Sequence, residues 1–428
     1  MKIVGLITEY NPFHNGHKYH IEQAKKITGA DAAIVVMSGD YVQRGMPAIM
    51  PKRLRAEMAL NCGAAAVFEL PVCYSTGSAE LFALGAVSLL DKLGIVDYLC
   101  FGSECNDLQG LQAIADILCE EPTEYKQLLQ EALRSGLSFP AARQEALGTI
   151  MKTADSSFLL NDPNNILGVE YLKALRRLNS NITPCTIKRQ DSHYHDRTLR
   201  TTYSSASAIR SLFAYSDSSG TASEALHRSG HTRFSGISGE LAKQVPSSCF
   251  KLLEENHQVL YPISEQDFSL LLKYKLLNKT PEKLIRYADV SEELANRIYA
   301  NLNNFFDYRQ FCELLKTKEV TQTRINRALL HIMLGLKKKE QETYLTDGYH
   351  YYAHLLGFRK DSEKVISAIS KTGTLPLLTK LYKQDKLSET GQHMLNQDIL
   401  ASNLYNSVIT EKFRTPFKNE YNHGIFKL

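Results

Sequence analysis

Four short apolar runs rich in strand-forming residues open the chain, at 2–8 (KIVGLIT), 32–37 (AAIVVM), 65–70 (AAVFEL) and 98–101 (YLCF). Stretches with helical spacing of apolar residues separate them, at 16–28, 52–62 and 79–93. Parallel strands need a crossover, which is usually a helix, so this alternation predicts an α/β fold with a parallel, doubly wound sheet. The runs are apolar almost throughout, as strands covered on both faces are. In such a sheet, ligands bind beyond the carboxyl ends of the strands.

Helical spacing continues through 106–148 and 168–178, with a strand expected at 183–188 and a short helix at 204–213. The segment 216–238 is rich in Ser, Gly and Thr and reads as a linker or mobile loop. From about residue 248 the pattern is almost wholly helical, for example at 268–277, 291–303, 325–336 and 364–370. The expected organisation is a Rossmann-like domain over 1–220 followed by an α-helical domain over 221–428, without an internal repeat. The 428 residues are 43% hydrophobic and 22% charged. That composition sets aside disorder, a collagen-like repeat and a disulfide-dense miniprotein. No apolar run approaches the roughly 20 residues of a membrane helix, and the first residues show no cleavable signal pattern. A cytoplasmic location is the expectation. Cys62, Cys73, Cys100, Cys105, Cys119, Cys185, Cys249 and Cys312 form no CxxC pair. They read as reduced small hydrophobes, and no metal site is expected of them.

The most informative motif is Asn11-Pro12-Phe13-His14-Asn15-Gly16-His17, between the first strand and the first helix. A helix N-terminus there offers free N–H groups and partial positive charge to a phosphate. Gly16 allows close approach of the backbone. His14 and His17 stand one turn apart on one side of the helix and can both donate to phosphate oxygens. A zinc pair would lack an obvious third ligand. The motif is the HxGH signature, and it resembles that of nucleotidyltransferases related to class I aminoacyl-tRNA synthetases. The resemblance implies attack of an acceptor oxygen on the α-phosphate of ATP and departure of pyrophosphate. The histidines would stabilise the developing charge.

Tyr203-Ser204-Ser205-Ala206-Ser207-Ala208-Ile209-Arg210 resembles a second phosphate-binding element of that superfamily, with Ser205, Ser207 and Arg210 in the binding roles; an ordinary Ser-capped helix is the plainer reading. In that superfamily the site after the fourth strand approaches adenine or ribose, and Gly102 would allow it. Asn164 or Asn165 could meet ATP at a helix start, and Lys188 with Arg189 could meet the triphosphate; a purely structural role is the alternative for each, as for Gly102. Asp40, in the turn 38–45, could position the acceptor or a metal, or simply stabilise the turn. In the same turn Arg44 could pair bidentately with a carboxylate. His193 and His195 are read as part of a substrate loop, with zinc as the alternative.

Taken together, Gly5–His17, Met37–Gly45, Glu69–Glu80, the FGSE segment at 101–104, Pro163–Leu175 and Thr323–Gly335 resemble the bacterial tRNA(Met) cytidine acetate ligase family, in order along the chain and without departure at the ATP motifs. The C-terminal match is the weaker part. That resemblance implies activation of acetate as acetyl-adenylate and transfer to the N4 amine of the wobble cytidine of elongator tRNA(Met). It implies catalytic roles for His14 and His17, and Asp40, at the same edge of the sheet, is the third catalytic candidate. It also implies an ATP site that includes Ile7, Thr8, Glu9, Tyr10, Asn11, Pro12, Phe13, Asn15, Gly16 and His20, with Mg²⁺ accompanying ATP. A small-molecule adenylyltransferase would share this site. Residues 1–150 hold 12 Lys and Arg against 17 Asp and Glu, so 151–428 carry 38 against 29, a net of +9. A basic second half suits a polyanion. Arg197, Arg200, Arg324, Arg327, Lys337, Lys338 and Lys339 are the expected tRNA contacts. An anticodon base already lies in a single-stranded loop, so presenting it to an active site costs little.

Overall fold

The computed structural model of the chain describes residues 1–151, 160, 162–189, 204–217, 230–317 and 320–428. Ten strands appear there: β1 (Ile3–Thr8), β2 (Ala32–Ser38), β3 (Tyr41–Val42), β4 (Met46–Pro47), β5 (Ala66–Leu70), β6 (Tyr98–Ser103), β7 (Thr183–Lys188), β8 (Ala353–Phe358), β9 (Leu377–Leu378) and β10 (Phe426–Lys427). Eight form one sheet in the order β10-β8-β5-β2-β1-β6-β7, with β9 beside β8. β5 through β7 run parallel, and β8 is antiparallel to β5. β3 and β4 make a separate antiparallel hairpin.

Side chains alternate across a strand, and here both faces are covered. On β2, Ile34 and Val36 join one apolar cluster while Ala33, Val35 and Met37 join another. Seven helices matter below: α1 (Asn15–Thr28), α2 (Lys52–Asn61), α3 (Ala79–Lys92), α4 (Pro163–Arg177), α5 (Ala206–Asp217), α6 (Gln322–Leu334) and α7 (Glu389–Phe413). α3 and α4 cover the first face. α1, α2, α5 and the helix Gly230–Gln244 cover the second. A third cluster gathers around α6 within the helical C-terminal region. Among the described residues no helix is long and apolar enough to cross a membrane.

The strands and helices of the first hundred residues fall where the alternation places them, and the helical C-terminal region is present. Two local readings are corrected. The run 353–358 (AHLLGF) is a strand, not part of a helical series. It is buried at every position and pairs with β5, with a register shift at Val67/Phe68. β8, β9 and β10 therefore carry the sheet across the division expected at residue 220. The second correction concerns 216–238, whose later part belongs to the helix Gly230–Gln244. Gly236 and Gly239 each cost a helix interior about 1 kcal/mol. Burial of Phe234 and Leu241 returns about 1.5–3 kcal/mol apiece, so packing outweighs propensity.

Chain order and sheet order diverge at β1. The chain steps outward from β1 to β2 and β5, then returns to β6 and β7 on the other side. The crevice at such a reversal, beyond the carboxyl ends of β1 and β6, is where an open α/β sheet accepts ligands.

Candidate active site

The loop after β1 turns abruptly. Tyr10 takes a positive φ of 49°, and the Asn11–Pro12 peptide is cis. The Asn11 side chain accepts from Ile49 N at 2.8 Å, and its carbonyl accepts from an Arg210 N–H at 2.6 Å. α1 then starts with a histidine cap. His14 Nδ1 accepts from Gly16 N at 3.1 Å, and His17 Nδ1 accepts from His14 N at 3.2 Å. The two rings stack with centroids 3.6 Å apart, and Tyr10 meets His17 edge-on while Phe13 lies tilted beside it.

This arrangement fixes the tautomers. A ring nitrogen that accepts a backbone N–H carries no proton, so each neutral imidazole keeps its proton on Nε2. Burial, reinforced by the Arg189 and Arg210 cations, pushes the His14 pKa down to about 3. Burial and the neighbouring His14 take His17 well below its ordinary value. Burial and Arg189 push His20 down to about 4. The cluster is therefore neutral near pH 7, with Nε2–H groups of His14 and His17 available as donors.

These groups border a cavity of about 340 Å³. β1 and its loop supply Ile7, Thr8, Glu9, Tyr10 and Asn11; α1 supplies His14, Gly16, His17 and His20. Gly102 comes from β6, Asn164 from α4, Lys188 and Arg189 from the end of β7, and Ser205, Ser207 and Arg210 from the start of α5. A Cβ at Gly102 would stand 3.2 Å from Arg189 Cγ, so glycine lets that arginine lie across the strand end. Arg189 donates to Asn164 Oδ1 at 3.4 Å, and Asn164 Nδ2 donates to Glu104 at 2.5 Å. Arg210 also donates to Ser207 Oγ at 3.0 Å. Among the described lining residues Glu9 is the single carboxylate.

Other expected residues lie elsewhere. Phe13 is fully buried beneath the histidines, Pro12 is turned inward, and Asn15 donates to Lys243 O at 2.8 Å. Asn165 is buried and accepts from Glu104 N and Cys105 N, so it supports the turn after β6 from behind. Asp40 is expected among the catalytic groups. Asp40 is absent from the described cavity wall, and its carboxylate accepts from Lys52 N at 2.7 Å. Burial raises its pKa, and Lys52 opposes that shift.

Asp40 borders a sealed charge cluster. Lys52 Nζ lies 2.7 Å from Glu69 and 3.0 Å from Glu420, and donates to Ser402 Oγ at 2.7 Å. His354 Nδ1 is 2.7 Å from Glu69. Burial works against the Glu69 charge, yet Lys52 and His354 hold its pKa down at about 2. Glu69, His354 and Glu420 could reach one cation, but the Lys52 ammonium already fills that role.

The expected RNA contacts divide as well. Arg324 is exposed at the start of α6, whose opposite side, including Ile325, Leu329, Ile332 and Met333, is buried. Lys337, Lys338 and Lys339 are exposed, with Lys337 beside Glu340 and Lys338 donating to Val290 O. Arg327 differs from these: it forms a fork with Asp289 at 2.8 and 3.2 Å and is 12% exposed. Arg197, Arg200, His193 and His195 lie outside the described residues.

Sequence reasoning missed Arg55. Its buried guanidinium donates to Glu9 O at 2.6 Å, Ser38 O at 3.1 Å and Gly39 O, tying together the ends of β1 and β2. An arginine inside a helical run carries no local sign of this. Gln43, Phe82 and Tyr171 also line the cavity without having been expected there, and Arg44 is there too.

A model of the family described as HIGH Nucleotidyl Transferase matches residues 1–420. An Acetivibrio thermocellus protein named tRNA(Met) cytidine acetate ligase is 42% identical over 410 residues, 95% of this chain and 94% of that one. A Clostridium tetani protein of the same name is 39% identical over 418 residues, 96% of each chain. The crystal structure of apo Thermotoga maritima TmcAL (form I) matches with a TM-score of 0.89 and 33% identity, covering 100% of both chains. Thermotoga maritima TmcAL bound with alpha-thio ATP matches with a TM-score of 0.86 and 32% identity, again over 100% of both. The paired histidines, the sheet reversal and these full-length likenesses agree: the chain belongs to the tRNA(Met) cytidine acetate ligase family, within the HIGH nucleotidyl transferases.

Proposed function

We propose that this chain is an ATP-dependent ligase that acetylates the N4 amine of the wobble cytidine of elongator tRNA(Met). The observation that carries the reading is the histidine pair, locked as neutral Nε2–H donors on a cation-lined cavity at the β1/β6 crevice. The likeness to an alpha-thio ATP-bound relative supports placing ATP there. In the first step an acetate oxygen attacks the α-phosphorus. A P–O bond forms, the bond to the bridging oxygen breaks, and its electron pair leaves with pyrophosphate. In the second step the cytidine amine attacks the acetyl carbon, loses a proton, and AMP departs.

His14 and His17 act by donating to phosphate oxygens as charge develops, a preorganised electrostatic role that needs no covalent intermediate. Arg189, Arg210 and Lys188 balance the triphosphate, with Ser205, Ser207 and Asn164 orienting it. Gly102 gives the nucleoside its approach. Mg²⁺ arriving with ATP would neutralise phosphate charge; Glu9 is the carboxylate that the described wall offers it. Arg324, Lys337, Lys338 and Lys339 form the described part of the tRNA surface.

The test is transfer of radiolabelled acetate to purified elongator tRNA(Met) with and without ATP. ATP-dependent label recovered as N4-acetylcytidine after digestion is the expected result. Pyrophosphate release with another acceptor, and no label on tRNA, would replace this reading with a small-molecule adenylyltransferase.

A further inference from the structure

An adenylating enzyme must hold two anions at once. Bringing a carboxylate beside a triphosphate is opposed by their like charges, and an excluded site strengthens that repulsion. A separate cation on the acceptor side would offset it. The described wall divides by topology. Lys188 and Arg189 come from the end of β7, on the β6–β7 side of β1, while Arg210, from the start of α5, donates to Asn11 O in the histidine loop. Arg44 comes from the β3–β4 hairpin that follows β2, on the opposite side.

The hairpin tip is held firmly. Gln43 N donates to Glu9 Oε1 at 3.0 Å, next to the histidine loop. Gln43 Nε2 donates to Gly77 O at 3.2 Å, just before α3 begins. Gly45 has φ +74°, and a Cβ there would stand 2.3 Å from Arg327 N, so α6 buttresses the tip from behind. The Gln43–Gly77 bond brings the tip against the first turn of α3, and that turn supplies two apolar wall residues, Ala79 and Phe82. Charge and a small apolar surface thus adjoin on one side of the cavity.

We propose that Arg44, with Ala79 and Phe82, forms the subsite for the short carboxylic acid: the guanidinium pairs with the carboxylate, and the two side chains enclose its methyl group. This rests on the ligase reading for the identity of the acid as acetate. The carboxylate then approaches the α-phosphorus from the side opposite Lys188 and Arg189. Ala79 and Phe82 limit the length of the acid.

The full chain tests this through two separate readings: ATP affinity by calorimetry, and acetate-dependent exchange of radiolabelled pyrophosphate into ATP. Arg44→Met should raise the acetate KM at least tenfold and leave ATP affinity within twofold, with Arg44→Lys intermediate. Ala79→Leu, at a partly exposed helix position, should also raise the acetate KM and should penalise propionate more than acetate. If Arg44→Met weakens ATP and leaves the acetate KM unchanged, the arginine serves the triphosphate and the proposal is overturned. An unchanged acetate KM in Ala79→Leu removes the methyl pocket, and this variant decides the matter if the Arg44 variants fail to fold. If the wild-type chain exchanges pyrophosphate with formate or propionate but not acetate, the ligase reading fails while the carboxylate subsite stands.

Discussion

Two polar regions of this protein contrast sharply. Around Lys52 a sealed cluster satisfies its own charges: an ammonium, Glu69, Glu420, His354 and a serine hydroxyl all lie within hydrogen-bond distance of a neighbour. Around His17 the polar groups are held just as rigidly from behind, yet their remaining capacity faces a cavity. His14 and His17 each use Nδ1 on the backbone, and His20 Nε2 has no partner among the described residues. Buried charge that is internally paired is costly to break, and fixed donors facing space are prepared for a ligand. Asp40 borders the sealed cluster through Lys52.

Breaking the sealed cluster should have the largest effect. Lys52→Met leaves buried carboxylates without their cation and should cost about 3–5 kcal/mol, seen as a lower denaturant midpoint and loss of soluble protein. A near-wild-type midpoint would show that the cluster relaxes by taking up protons. His17→Ala should do the reverse. Adenylate formation should fall about 10²–10³-fold, as when a preorganised donor is removed, while stability loses only about 1 kcal/mol of capping. Exchange kinetics beside thermal melts separate the two effects.

Acid should distinguish the regions by their order of loss. His14 and His20 resist protonation when folded but take up protons near pH 6.5 when unfolded. Their contribution is therefore complete above about 6.5 and falls as pH drops toward 3–4. Glu69, depressed to about 2, keeps its contribution above its ordinary range near 4.5 and loses it only between there and 2. Denaturant midpoints between pH 7.5 and 3 should decline first through the histidine window. Rates of ATP–pyrophosphate exchange should show no histidine limb near 6.5; such a limb would mean that an imidazolium takes part. The smallest effects belong to the surface. Arg324→Glu should weaken tRNA binding a few-fold and lower the salt slope by about one, with ATP affinity unchanged. Arg327→Glu should instead lower stability, because Asp289 loses its partner.

Much of this was legible along the chain. β1, β2, β5 and β6 are apolar on both faces, and that pattern is local. The histidines of α1 announce themselves through their place between a strand and a helix. β8 did not, since a six-residue apolar run among helices has no periodicity to separate strand from buried helix. The helix Gly230–Gln244 was obscured by its glycines, and only the burial of Phe234 and Leu241 explains it. Arg327 looked like a free basic residue because Asp289 lies 38 positions away.

By itself the sequence determined the alternation of strands and helices, the position of the histidine cap and the basic character of the second half. These depend on side-chain period, helix-end chemistry and net charge, which act over a few residues or over the whole chain. Only the tertiary structure decided which charges face the cavity and which are sealed away. Lys52 meets Ser402 across 350 positions, and Gly45 rests on Arg327. Such contacts arise from the packing of the C-terminal helices and strands against the first sheet, and no neighbouring residue encodes them.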